Sequence, residues 1–350
     1  MPQTAPSPLH AAIATLAKRQ SLTEDETAQA FGIVMRGEAS HAQIAALLMG
    51  LRVKGEDAAE VAGAARALRD AMVRVETGED ALVDTCGTGG GVVGTFNIST
   101  AAALVAAGAG ARVAKHGNRS FTSRCGSADV LEALGVAVTL DAHGAARVLR
   151  EACVTFLFAP NFHPAMKHVG PVRGELRIPS VMNMLGPLAN PAGARRQVIG
   201  VADPERAPLM AQALARLGTE HAMIVHARVG MDEISPSGVT DVWEIRNGAI
   251  TRWEIVAQHF NFGVADVTAL QGGAPEENAR RIEALLASNG AGKDPAGRAA
   301  VALNAGAALY VAGLAGSYQE GVRLAEDMLS RGAGWQALER LRRASPSTSG

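Results

Sequence analysis

From residue 81 onward, short apolar runs alternate with glycine turns and longer apolar-periodic stretches, and no other feature restricts the fold as strongly. The first run, 81–86, reads as a strand that enters Gly87, Gly89, Gly90 and Gly91. The spacing then predicts helices over 98–107, 128–134 and 142–152, each followed by a strand, over 111–115, 136–140 and 154–157. Later strands are expected at 197–201, 222–225 and 242–245, and an Ala-rich buried helix at 299–312. Parallel neighbours cannot be joined by a tight turn, so this alternation implies crossover units and a mostly parallel sheet.

Ahead of that region no strand pattern occurs. Thr23 with Glu26, Ser40 with Gln43 and Asp57 with Glu60 each have capping-box spacing before a stretch of helical pattern, in which each side chain satisfies a backbone donor of the other residue. Residues 8–18 supply one more helix. The fold class expected is α/β, a small all-helical domain beside a larger α/β domain with a central sheet flanked by helices. Residues 1–76, with roughly 162–192 packing back on them, are expected to form the helical domain, and 77–161 with 193–345 the α/β domain.

A chain of 350 residues suffices for two domains without covalent staples. Cys86, Cys125 and Cys153 are isolated, which points away from a disulfide framework and towards a reducing compartment. The net charge of −1, with no Lys/Arg run, lacks the basic footprint of a nucleic-acid binder. The first residues have no signal pattern, and the apolar run 101–111 is far shorter than the ~20 residues that cross a bilayer. A cytoplasmic protein that uses no membrane is expected.

Four segments carry chemistry. The first is the glycine run with Thr95, Asn97, Ile98, Ser99 and Thr100 at the start of a helix. Glycines let a backbone approach an anion, and a helix N-terminus offers free donors, so together they form an anion cradle. A glycine turn with Ser/Thr capping is the structural alternative. The second segment, Lys115, His116, Gly117, Asn118 and Arg119, then Ser123 and Ser127, follows the next strand. Lys115 and Arg119 supply charge for a phosphate, and Asn118 can orient a planar acceptor, whereas His116 serves equally as a hydrogen-bonded turn residue. The third is Asp232 with Glu233, either a Mg²⁺ seat completed by substrate phosphates or a solvated acidic turn. In the fourth, Arg173 can grip a carboxylate or lie on the surface. His163 and His168 read as structural, and Pro187 and Asn190 lie in turn-forming pairs.

Taken in order, these segments resemble the anthranilate phosphoribosyltransferase family: the glycine loop, Lys115–Arg119, Gly126–Asp129, Asn183–Pro191 and Asp232–Pro236. The resemblance covers nearly the whole chain. It implies a homodimer joined through the helical domains, the substrates anthranilate and 5-phosphoribosyl-1-pyrophosphate, and Mg²⁺. By matching position, Gly87, Gly90, Gly91, Thr95, Asn97, Ile98, Ser99, Thr100, Lys115, Asn118, Arg119, Ser123 and Ser127 would hold the phosphoribosyl donor. Gly87, His116, Asn118, Arg173 and Pro187 would contact anthranilate, and Ser99, Asp232 and Glu233 would approach the metal.

The chain departs from the family pattern where an aspartate is usual at Gly91 and at Ala274, and where Pro179 replaces an arginine. The alternatives are a pyrimidine nucleoside phosphorylase and a non-catalytic paralogue that binds nucleic acid. The Lys115–Arg119 turn and the Asp232–Glu233 pair weigh against the first, and the net charge weighs against the second.

Overall fold

The computed structural model describes residues 7–120, 124–262, 265–287 and 293–345. Four helices come first: α1 (Pro8–Ala17), α2 (Glu24–Met35), α3 (His41–Lys54) and α4 (Ala58–Asp70). Capping boxes open α2 at Thr23, α3 at Ser40 and α4 at Asp57. Glu60, the reciprocal partner of Asp57, is fully buried. It also accepts from the Leu22 N–H at 3.0 Å and pairs with Lys54 at 2.9 Å. One carboxylate thereby caps α4 and fixes the entry to α2 and the end of α3, and its burial is tolerable because it is paired and hydrogen-bonded.

Seven strands form one sheet: β1 (Leu82–Gly87), β2 (Arg112–Gly117), β3 (Val154–Phe158), β4 (Arg196–Gly200), β5 (His221–Ala227), β6 (Val239–Arg246) and β7 (Ala249–Val256). Their order is β3-β2-β1-β4-β5-β6-β7. The first five are mutually parallel, whereas β6 and β7 run antiparallel to their neighbours. The crossovers from β1 to β2 and from β2 to β3 contain α5 (Ile98–Gly108), α6 (Ser127–Ala133) and α7 (Ala142–Ala152).

Successive side chains of a strand face opposite sides, and the core divides accordingly. Val198, Met223, Val225 and Val242 join α5 and the long helix Pro295–Ala312 in one cluster. Ile199, Ala222, Ile224 and Ile245 face the other way, into a cluster that includes α1 to α4 and the helices Met166–Leu176 and Met182–Leu188. The helical bundle thus shares its core with one face of the sheet.

Two expectations need correction. Residues 136–140 form no strand of the sheet. Val136 and Val138 are buried, but the backbone there pairs with the end of the C-terminal helix, Ala137 N–H donating to the Ser345 carbonyl at 2.9 Å. The sequence reading also places no strand over β7, most of whose residues are exposed at the sheet edge, with Trp253 and Ile255 on the face that packs on the core. The Asn247-Gly248 pair is the available signal: both have positive φ, 50° and 82°, as a two-residue hairpin turn requires.

Candidate active site

β1 is the strand at which the order reverses, with β2 on one side and β4 on the other. Open α/β sheets take ligands in the crevice at the carboxyl ends of strands at such a point. A cavity of about 830 Å³ opens there, lined by Gly87 at the end of β1 and by Asp232 and Glu233 after β5.

The glycine loop forms one wall. Gly89 and Gly90 have φ of +67° and +83°, which a side chain would strain. Thr88 N–H anchors the near limb to the Gly200 carbonyl at 2.9 Å, and Val92 N–H anchors the far limb to Gly230 at 3.0 Å. Gly90, Gly91, Thr95, Asn97 and Ser99 line the cavity, with Ser127 at the start of α6. Asn97 is a lining residue whose amide bridges other segments: it donates to the Cys125 carbonyl at 3.2 Å and accepts from Asn278 at 3.0 Å. Ile98 and Thr100 are buried inside α5 and do not line the cavity. Their side chains hold the first turn of α5, whose backbone N–H groups remain the donors available to an anion there. Ser123 lies outside the described residues.

The carboxylate wall is built by a tertiary clamp. Asn304, the single polar side chain in a long buried stretch of its helix, accepts from Ile234 N–H at 3.0 Å and donates to the Ile234 carbonyl at 2.9 Å. Glu233 beside it accepts from Ser99 N–H at 3.2 Å. Burial raises the pKa of both Asp232 and Glu233, and the Asp232 charge raises Glu233 further. Among the described residues no group of three or more His, Cys, Asp and Glu could hold a metal ion. Two carboxylates and the Ser99 hydroxyl on one cavity match the sparse protein coordination that Mg²⁺ accepts, and a dication would offset the buried negative charge.

β2 splits its functional residues between two sides. Lys115 Nζ donates to the Thr85 carbonyl and, at 3.2 Å, to Ser99 Oγ, so its charge lies behind the phosphate wall. Burial lowers its pKa, opposed by the nearby Asp84 carboxylate. His116 faces the other way, with Nδ1 3.2 Å from the Gly186 carbonyl and its ring 5.0 Å from that of His163. Burial brings the His116 pKa down to about 3 and that of His163 to about 4. His116 is therefore neutral; Nδ1–H donates to the carbonyl and Nε2, which has no partner among the described residues, is a bare acceptor. Pro187 stands next to that contact, its carbonyl accepting from Gln197 Nε2 at 2.8 Å.

The Arg119 guanidinium pairs with Asp129 at 2.9 Å and Glu132 at 2.6 Å, which braces the turn against α6 while the side chain stays partly exposed. Asn118 accepts from Arg119 N–H at 2.8 Å, which orients its amide. Arg173, on the helix Met166–Leu176, is half-buried, and its guanidinium makes no ion pair or hydrogen bond among the described residues. Neither Asn118 nor Arg173 lines the 830 Å³ cavity. Arg124 does, along with Gly272 and Gly273, and the sequence reading names none of the three. Arg124 sits between two polar turns without a motif of its own, and the glycines give only a turn signal ahead of Pro275.

Residues 79–335 match the family described as glycosyl transferase family, a/b domain, and residues 10–72 its helical bundle domain. The chain is 49% identical over 342 residues to the anthranilate phosphoribosyltransferase of Rubrobacter xylanophilus, covering 98% of this chain and 99% of that one. The solved anthranilate phosphoribosyltransferase of Thermus thermophilus is 42% identical, with a TM-score of 0.89 over 95% of this chain and 98% of that one. The enzyme from Saccharomyces cerevisiae, solved in complex with PRPP and Mg, is 27% identical, with a TM-score of 0.87 over 96% of this chain and 97% of that one. With a cavity at the switch point, a glycine cradle and a facing carboxylate pair, the chain belongs to the anthranilate phosphoribosyltransferase family.

Proposed function

We propose that the protein transfers the 5-phosphoribosyl group of 5-phosphoribosyl-1-pyrophosphate to the amine of anthranilate, giving N-(5-phosphoribosyl)anthranilate and pyrophosphate, a step of tryptophan biosynthesis. The observation that carries this reading is the meeting of the glycine loop, Ser99 and the Asp232–Glu233 pair on one cavity. Backbone donors of the loop and the N-terminus of α5 take the diphosphate, whose negative charge grows as it leaves. Lys115 adds positive charge through Ser99. Asp232, Glu233 and Ser99 would hold Mg²⁺, which when bound neutralises diphosphate charge. Arg124 extends the donor set on the same wall.

The acceptor amine attacks as the ribose carbon becomes oxocarbenium-like. Arg173, with no partner among the described residues, is assigned the anthranilate carboxylate; His116, Asn118 and Pro187 flank the ring. Neutral His116 Nε2 can accept an amine hydrogen, and positioning supplies most of the rate. The helices of residues 1–76, with those of roughly 162–192, are assigned to a homodimer interface, and the α/β remainder to donor binding. Among the described residues no helix is long and apolar enough to cross a membrane. The three free cysteines suit a reducing cytoplasm.

Anthranilate fluorescence tests the reading. Its loss should require the protein, 5-phosphoribosyl-1-pyrophosphate and Mg²⁺ together. No loss with folded protein and intact substrates would refute the transferase, and thymidine phosphorolysis would then be the activity to measure.

A further inference from the structure

Gly89 and Gly90 are glycines because their φ demands it, but the φ of Gly91 lies outside the left-handed region. The backbone at 91 therefore accepts any residue. What a side chain there would meet is tertiary. A Cβ on Gly91 would stand 2.9 Å from Asp232 Oδ1, with the Gly230 carbonyl at 3.3 Å and Asp232 N at 3.4 Å. A Cβ on Gly87 would stand 3.4 Å from Asp232 Oδ2. The Asp232 carboxylate thus lies between the two ends of the loop. The concave face that aims donors at an anion holds an anion of the chain itself.

We propose that Gly91 is a positioning residue: lacking a side chain, it lets Asp232 seat on the glycine loop as an internal anion that the substrate's diphosphate must displace. This rests on the reading of the loop as a diphosphate cradle. Both carboxylate oxygens face the loop, so the seat is specific to Asp232; Glu233, one residue on, is turned to Ser99. A methyl at 91 has one flexible obstacle, the end of the Asp232 side chain, and two backbone neighbours that need only give by a few tenths of an ångström. It therefore unseats Asp232 without altering the charge of the site.

The test is calorimetric titration of inorganic pyrophosphate without metal into wild type, Gly91→Ala, Asp232→Ala, Glu233→Gln and Gly91→Ala/Asp232→Ala, each checked for folding by circular dichroism. Gly91→Ala should bind about 10-fold tighter than wild type, the equivalent of one competing charge-assisted hydrogen bond. The gain should vanish when Asp232 is already alanine. Equal or weaker binding by Gly91→Ala, in a wild type that does bind, would mean that the methyl merely fills the cradle and would overturn the proposal alone. If Gly91→Ala does not fold, the single-charge variants decide: Asp232→Ala must gain clearly more than Glu233→Gln, and equal gains would reduce the effect to bulk electrostatics and overturn it. Failure of every protein to bind pyrophosphate would overturn the proposal, and failure with Mg²⁺ added as well would overturn the diphosphate reading.

Discussion

Asn190 donates its side-chain amide to the Asp84 carboxylate at 2.9 Å and to the Ala114 carbonyl at 2.8 Å, which ties the segment returning from the helical bundle to β1 and β2. Asp84 is fully buried, and it also accepts from His116 N–H at 3.0 Å. Burial raises its pKa, and the Asn190 hydrogen bond is the foremost effect that pulls it back. Replacing Asn190 with Ala should cost about 1–3 kcal/mol, because a buried carboxylate loses a donor that water cannot replace. Urea denaturation would measure it; an unchanged midpoint would show that the contact does not hold the two parts together.

The buried pair His116 and His163 sets an acid limit. Both are less basic in the fold, at about 3 and about 4, than their ordinary 6.5. The unfolded chain therefore binds protons that the fold excludes, and stability is complete above about pH 6.5 and is lost as pH falls towards the folded values. The slope should reach about 1.4 kcal/mol per pH unit for each imidazole. Denaturant midpoints between about pH 7 and pH 5 test this, with His163→Asn expected to remove part of the slope. A flat wild-type profile would contradict it.

The Arg173 guanidinium has no protein partner among the described residues, which leaves its charge free for a ligand. In Arg173→Ala the KM for anthranilate should rise about 10- to 100-fold, the equivalent of a lost charge-assisted contact, with the KM for the phosphoribosyl donor nearly unchanged. Equal effects on both substrates would move Arg173 out of the acceptor site.

Arg119→Ala separates a brace from a ligand. Its ion pairs with Asp129 and Glu132 are partly exposed, and their loss should cost under about 1 kcal/mol of stability. Donor affinity should fall less than about 3-fold, whereas Lys115→Met should lose well over 10-fold, as for an unmade contact to a charged group. A fall in Arg119→Ala as large as that in Lys115→Met would restore Arg119 to the phosphate site.

Ala274 opens the helix Pro275–Leu286 without a side-chain cap, although Glu277 still accepts from its N–H at 2.8 Å. Half of a capping box is present. Ala274→Asp should add about 1 kcal/mol by supplying the missing acceptor, read as a higher melting temperature. No gain would mean that the helix start is already satisfied.

The sequence by itself determined the elements whose causes are local. Capping boxes at Thr23, Ser40 and Asp57 fixed three helix starts, and glycine runs after apolar stretches placed β1, β2 and the anion-binding loop. Local stereochemistry and side-chain periodicity act over a few residues, so they are legible along the chain. Tertiary structure alone decided which residues share a site. Asn304 clamps Ile234 from 70 positions away, Arg119 spends its charge on α6, and residues 136–140 pair with Ser345 instead of joining the sheet. Each of these depends on which partner reaches a polar group first in the folded chain. The same holds for Gly91: its own φ does not require glycine, and what a side chain there would meet first is the Asp232 carboxylate, brought in from another strand's end.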